Sequence, residues 1–296
     1  MAGKGRLSPT LVSYMPPDGQ MSRYSNRRPD SARGVPILLY HRVSDDPAPG
    51  LEHYCVSPAN FRRQMAWLQA GGYETILLDT LVDHYTSAAA LPARPVVITF
   101  DDGYRDNLDN AYPVLESLSL RAIIFLVAGA VGRKAGWDAA FGAPPSLLSW
   151  PEIRMMAKGP ITFGAHTINH PHLCQITAQD AWNEISGART ILEDGLGHEV
   201  SSFAYPYSDF SEEVRGFVAR AGYRAACSSI WGLSTSADDV YALRRLIVGG
   251  GDSLESFARK VSGTSGTRRT WHPVLSRIKR FITRSQSAST GGSSLV

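Results

Sequence analysis

The chain has 296 residues, is 43% hydrophobic and carries a net charge of +3. That is enough apolar material for one large α/β domain with tails, and no apolar stretch approaches the length of a membrane span. Three cysteines, Cys55, Cys174 and Cys227, are odd in number and lack Cys-x-x-Cys spacing, so no disulfide framework is expected and the setting implied is reducing and cytoplasmic.

The charge is unevenly placed. Residues 1–34 hold six Lys/Arg against two Asp/Glu, and residues 256–296 hold eight and none. The stretch between is acidic. The first segment, rich in Ser, Pro, Gly and Arg, reads as a disordered basic arm without an apolar signal-peptide core. The domain division expected is therefore 1–34, a catalytic domain over 35–262, and a basic tail over 263–296. In that tail Val274, Leu275, Ile278, Phe281 and Ile282 share one helical face, with Arg277, Lys279, Arg280 and Arg284 around them. Such a helix can lie on an anionic membrane surface or pack on the domain; packing is the preferred reading. No nucleic-acid partner is expected, and the sequence does not set an oligomeric state.

In chain order, Val35–Tyr40 is an apolar run and the first expected strand, followed by His41 and Arg42. Ser57-Pro58 opens a helix, with Ser as N-cap and Pro at the first helical position. Phe61, Met65 and Leu68 recur at helical spacing, and Gly71-Gly72 ends the element. Tyr73–Leu78 reads as a strand and Thr80–Tyr85 as a short helix. Pro95-Val96-Val97-Ile98 is β-branched and reads as a buried strand. Tyr112–Leu118 is helical, and Arg121–Val127 is a strand.

Residues 129–148 form a long loop rich in Gly and Pro, of a length that often carries function and could shape a substrate groove. Ser149 and Glu152 suit a capping box before Ile153–Ala157. Thr177 and Asp180 open a helix running to about Glu193. Phe203–Tyr207 is a strand end, Glu212–Ala221 a helix, Tyr223–Ser228 and Leu243–Val248 strands, and Leu254–Val261 the last helix. This alternation implies a parallel sheet or barrel. No G-x-G-x-x-G follows a strand, which argues against a dinucleotide site.

Two clusters carry chemistry. Thr99-Phe100-Asp101-Asp102-Gly103 places adjacent carboxylates at a strand end, where burial demands compensation. A metal ion is the simplest compensation. The second cluster, Gly164 to His172, follows another apolar run and sets His166 and His170 four apart. Carboxylate and imidazole form the oxygen/nitrogen set that suits Zn and its neighbours. His41, Asp101, Asp102, His166, His170, Tyr205 and Tyr207 all fall at or just past the ends of apolar runs. In β/α barrels those ends share one face, and active sites sit there.

With those residues in view, the chain resembles the polysaccharide deacetylases, carbohydrate esterase family 4, over about residues 35–260. The resemblance rests on Thr99–Gly103, on His166 to His170, on Phe203-Ala204-Tyr205-Pro206-Tyr207 and on Tyr40-His41-Arg42. It implies a distorted, incomplete (β/α) barrel of about seven parallel strands. It implies metal-dependent removal of N-acetyl groups from a glycan containing N-acetylglucosamine. Asp101 would be the general base, and Asp102, His166 and His170 would hold a divalent metal, Zn first, with Co or Ni as alternatives. The backbone N–H of Tyr207 would stabilise the oxyanion, with Tyr205 beside it.

The chain departs from the broader family at several points. No late Leu-x-His motif supplies a general acid; the one late His, His272, sits in a Trp-Pro context that does not match. His41 takes that role instead, as in the poly-N-acetylglucosamine deacetylase branch, or fixes the strand end by a hydrogen bond. An Arg common before the Pro-Tyr element is Ala204 here, and the usual following Gly is Ser208. Arg245 either replaces that Arg as support for the base or is a structural Arg. Two other functions remain open at this stage: an O-acetyl esterase or other metal amidase on the same scaffold, and a carbohydrate-binding protein without turnover.

Overall fold

The computed structural model describes residues 34–263. Ten strands are found among them. β1 is Ile37–Tyr40, β2 Arg42–Val43, β3 Cys55–Val56, β4 Glu74–Thr75 and β5 Pro95–Phe100. β6 is Ala122–Leu126, β7 Ile161–Ala165, β8 Ser202–Ala204, β9 Ala225–Trp231 and β10 Leu243–Ile247. The helices are α1 (Pro58–Ala70), α2 (Leu78–Ser87), α3 (Tyr112–Ser117), α4 (Trp150–Met156), α5 (Ala178–Leu196), α6 (Glu212–Arg220) and α7 (Leu254–Val261).

Seven of the strands make a barrel. Neighbours run β1-β10-β9-β8-β7-β6-β5, and β1 pairs with β5 as well as with β10, which closes the ring. Every pairing in the ring is parallel. The barrel is therefore incomplete in strand number and has no gap. Its distortion is local: the β9–β10 register shifts between Leu243 and Arg245. β4 adds to the first two residues of β5, and β2 and β3 form a small parallel pair of their own.

Strand parity sorts the residues into two layers. Ile37, Val97, Ile123, Ala204, Cys227 and Leu243 belong to one buried cluster, the barrel interior, together with Leu78, Leu81 and Val82 of α2. Leu38, Ile98, Phe100, Ile124 and Phe203 face outward and pack with α1, α5 and the other helices in a second cluster. α2 closes the N-terminal mouth. Its Asp79 accepts from Ser201 and its Asp83 pairs with Arg224, residues that lead into β8 and β9. The opposite mouth is left for the site.

Local signals set the helices. The Ser57 hydroxyl accepts from the Asn60 N–H at 3.2 Å and Pro58 opens α1. The Thr177 hydroxyl caps α5, which ends on Gly197 in the left-handed region. The Ser149/Glu152 capping box opens α4. The expected strand over Tyr73–Leu78 is corrected: only Glu74–Thr75 is strand, and α2 begins at Leu78 rather than Thr80. The apolar run Ile76-Leu77-Leu78 enters the interior cluster from a loop and helix start, and a short apolar run does not distinguish these from a strand.

Among the described residues no helix is long and apolar enough to cross a membrane. The segments expected at 1–34 and 263–296 lie outside the described residues except for Gly34 and Gly263, and so do the helical face at 274–282 and His272.

Candidate metal centre and active site

Strand parity delivers the site. In β5, Val97 and Thr99 share the inward parity, and Asp101 is the next such position. In β10, Leu243 faces the interior, so Arg245 does too. In β7, Ile161, Phe163 and Ala165 face the helices, which turns His166 inward. In β1, Ile37 is inward, and His41 follows at the same parity. Four functional side chains thus reach the C-terminal mouth of the barrel from four strands.

Asp102 breaks the alternation. Its φ of 75° and the 73° of Gly103 turn the chain sharply, so its carboxylate joins that of Asp101 at the mouth. At Gly103 a side chain would also strike Leu126 Cδ2, 2.7 Å from an ideal Cβ. The turn carrying His170 is strained in the same way, with φ 68° at Thr167 and 61° at His170. Such conformations persist where the surroundings hold them. Here Glu184 of α5 does so: Oε2 accepts from the N–H groups of Ile168 and Asn169 at 2.8 Å each. Thr167 Oγ1 accepts from the His170 N–H at 2.9 Å.

Asp102, His166 and His170 are all buried, and one ligand atom of each lies within 4.8 Å of the others. Asp102 Oδ1 is 3.3 Å from His166 Nε2 and 3.1 Å from His170 Nε2. His166 Nδ1 lies 2.7 Å from the Ala204 carbonyl oxygen, which can only accept, so Nδ1 carries the proton and, in the neutral ring, Nε2 presents a lone pair. Asp102 Oδ1 is buried with no hydrogen-bond partner among the described residues. The Asp102 oxygen and the two Nε2 atoms thus converge on one point, and with neutral rings a cation is what such a point accommodates. Ligands on a tetrahedral ion with bonds of about 2.0–2.1 Å lie about 3.3 Å apart, close to the spacing found. The triad binds a divalent metal by this donor set, a carboxylate and two imidazoles.

Asp101 lies beside the triad and has a different partner. Arg245 Nη1 and Nη2 donate to its two oxygens at 2.7 Å each. Burial raises the Asp101 pKa, but the Arg245 guanidinium outweighs it and holds the carboxyl below its usual range. Asp102 is held well below that range: burial opposes ionisation, and the adjacent imidazoles of His166 and His170 outweigh it. Both carboxylates are therefore ionised at neutral pH. His41 is lowered, with burial outweighing the pull of Asp102 and Asp101, so the ring is neutral at rest. Its edge meets Tyr54, ring centroids 4.8 Å apart, and its carbonyl accepts from Asn107 Nδ2 at 2.9 Å.

Tyr207 lies at the rim in a left-handed conformation, φ 57°, and the residue is 52% exposed. Its hydroxyl is 3.1 Å from His170 Nδ1, and its ring stacks on His172 at 3.9 Å. Tyr205 is not brought to the site. It has the outward parity of Phe203, is buried against Phe203 and Phe210, and donates its hydroxyl to the Tyr241 carbonyl at 2.8 Å. Ala204, in the inward position, contributes its carbonyl to His166 instead.

Sequence reasoning missed Trp137 and Asp138. The loop over 129–148 brings them to the mouth, where Trp137 stacks on His170 and Asp138 accepts from the Tyr104 hydroxyl at 2.7 Å. Asp138 is raised, chiefly by burial, against the Tyr104 hydrogen bond and with the Asp102 charge adding to the rise. The only signal in the sequence was an aromatic–acid pair inside a Gly/Pro-rich loop.

The family model for polysaccharide deacetylase matches residues 88–226. The chain is 28% identical over 223 residues to YxkH of Bacillus subtilis, which bears a polysaccharide deacetylase name; the match covers 75% of this chain and 74% of that protein. It is 21% identical over 287 residues to the poly-β-1,6-N-acetyl-D-glucosamine N-deacetylase of Escherichia coli K12, covering 86% of this chain and 42% of that one. The fold aligns with the Streptococcus pyogenes deacetylase PplD, solved in complex with acetate, at a TM-score of 0.68 and 21% identity, covering 77% of this chain and 98% of that one.

Proposed function

From the premise that this chain shares the fold of the polysaccharide deacetylases and is homologous to them, we propose that it hydrolyses N-acetyl groups on an N-acetylglucosamine-containing glycan. The observation that supports this most is the pairing of two unlike carboxylates: Asp102 faces two imidazoles, and Asp101, one residue earlier, faces a guanidinium. One is built to hold a cation and the other to stay ionised without one.

Bound at Asp102, His166 and His170, a divalent ion supplies Lewis-acid chemistry, polarising an acyl carbonyl and lowering the pKa of water. Asp101 then takes a proton from the attacking water, and Arg245 keeps it ionised and fixed in orientation until it does. The backbone N–H of Tyr207 donates to the oxygen on which negative charge develops. His41, at the mouth on the β1 side, delivers a proton to the departing amine. It is neutral at rest, so it first gains the proton that Asp101 has taken from the water and then passes it to the amine, which leaves Asp101 ionised again. Zn is the metal that the carboxylate and imidazole donors suit best.

A glycan with acetylated amino sugars is the substrate class that the curated homologues' names support. The free state of Cys55, Cys174 and Cys227 supports a reducing, cytoplasmic setting. For the basic tail, co-sedimentation with anionic liposomes of the full chain and of a chain ending at Gly263 tests membrane contact.

The function is tested by acetate release from N-acetylated glucosamine oligomers beside acetylated xylan. Release from the amino sugar alone is expected. Release from xylan alone would make the protein an O-acetyl esterase and sink the reading.

A further inference from the structure

The two histidines of the triad are held very differently. His166 gives its Nδ1 proton to a main-chain carbonyl on β8, a rigid partner. His170 sits on a strained turn, and among the described residues its Nδ1 meets only the hydroxyl of the half-exposed Tyr207. A histidine ligand without a firm partner can rotate away from the ion. Something else must fix the plane of His170.

That element is the loop following β6. A turn of 3-10 helix, Gly136–Phe141, lays the Trp137 indole on the His170 ring, with centroids 4.4 Å apart and planes 24° from parallel. The turn is fastened to the aspartate segment. Tyr104, one residue after Gly103, bridges to Leu147 in antiparallel fashion, and Lys134 bridges to Ser146. Tyr104, Ala135 and Leu147 form a small buried cluster against which Trp137 packs. The Tyr104 hydroxyl donates to Asp138 at 2.7 Å, which anchors the residue next to Trp137. Trp137 Nε1 is buried and makes no hydrogen bond among the described residues. A buried donor without a partner is unfavourable, so it is the face of the indole, not its N–H, that accounts for the placement.

We propose that Trp137 is the positioning residue for His170, stacking on the imidazole so that Nε2 stays directed at Asp102 Oδ1. The Tyr104–Asp138 bond makes the indole part of the same unit as the Asp102 turn. Metal affinity then depends on a loop residue that donates no ligand atom. This inference rests on the metal-centre reading, and its test separates the two.

The measurement is Zn²⁺ affinity by competition with a chromogenic chelator, on the full chain and on the Trp137→Phe, Trp137→Leu and Trp137→Ala variants. Apoprotein circular dichroism and thermal unfolding establish that each variant is folded. Loss of the ring should weaken binding by about 10–100-fold, the usual effect of removing a partner that orients a ligand. Leu, which keeps apolar bulk without a ring, should behave as Ala does. Phe, which keeps a ring and loses the unpaired N–H, should bind close to the parent. A parent that binds Zn²⁺ and a folded Leu or Ala variant that binds it equally well would overturn the positioning role and leave the metal centre standing. Phe weakened as much as Leu would overturn the stacking account. A parent that does not bind Zn²⁺ at all would overturn both.

Discussion

Arg245 holds Asp101 by both oxygens, Nη1 to Oδ1 and Nη2 to Oδ2 at 2.7 Å each, across 144 residues of sequence. The arginine is fully buried, and its Nε donates to the Ser228 carbonyl at 2.8 Å. Nη1 also reaches Thr99 Oγ1 at 3.2 Å. Every arm of the guanidinium is thus tied to the barrel interior. A planar, bidentate pair of this kind fixes orientation as well as charge, which a lysine could not do.

Replacing Arg245 by Met should therefore have two effects. Removing one partner of a buried ion pair costs about 3–5 kcal/mol, so thermal unfolding should fall. Burial of Asp101 is then unopposed, so its pKa rises and the acidic limb of the activity profile moves to higher pH. In the apoprotein, the parent's Asp101 term is present above the unfolded carboxylate value of about 3.9 and is lost as pH falls through the lower folded value. The stability gap between parent and variant should therefore narrow as pH falls, from the variant's raised Asp101 value down through the parent's lowered one. An unmoved acidic limb would show that Arg245 does not set the state of Asp101.

Asp101→Asn should separate holding the ion from using it. Metal content should stay at the parent level, because Asp102, His166 and His170 are intact. Turnover should fall by about 10²–10⁴-fold, the usual loss on removing a general base. Parent-like hydrolysis by this variant would move the role to another group.

His41→Gln tests the far side of the mouth. The substitution should leave metal affinity unchanged and lower kcat by about 10²–10⁴-fold, with KM little altered. If kcat is unaffected, His41 serves to fix the end of β1 through the chain contacts around it.

Gly103→Ala probes the turn that brings Asp102 to the site. A left-handed φ costs a non-glycine residue about 1–2 kcal/mol, and the added Cβ meets Leu126 Cδ2. Both stability and metal affinity should fall, as read by thermal unfolding and chelator competition. Loss of stability with unchanged metal affinity would mean that the Asp102 carboxylate does not depend on this turn.

Much of this was legible in the sequence, for identifiable reasons. β5 and α7 were expected within a residue or two because such elements are set locally: β5 is a β-branched run, and α7 is capped by the Ser253 hydroxyl, which accepts from the Ser256 N–H. The Asp102, His166 and His170 cluster was legible because its residues fall at or just past the ends of two apolar runs, and parallel strands bring such ends together. Tyr205 was misplaced although the clue was present. Phe203 is an outward apolar residue, and Tyr205 two places later shares its side. Arg245 was read, by resemblance alone, as support for the base or as a structural Arg; its partner is 144 residues away and no local pattern names it. Trp137 and Asp138 had no periodicity to read, since a loop's side chains are placed by tertiary contacts such as the bridges at Tyr104 and Lys134.

If one divalent ion at Asp102, His166 and His170 drives deacetylation, turnover should follow occupancy of that triad. The direct measurement is acetate release from N-acetylated glucosamine oligomers as chelator-stripped protein is titrated with Zn²⁺, beside Asp102→Ala under the same conditions. No release is expected without metal, then a rise that ends at one equivalent, and no rise for the variant. Full release by the stripped protein, or an Asp102→Ala protein that binds one equivalent and works at the parent rate, would contradict that dependence.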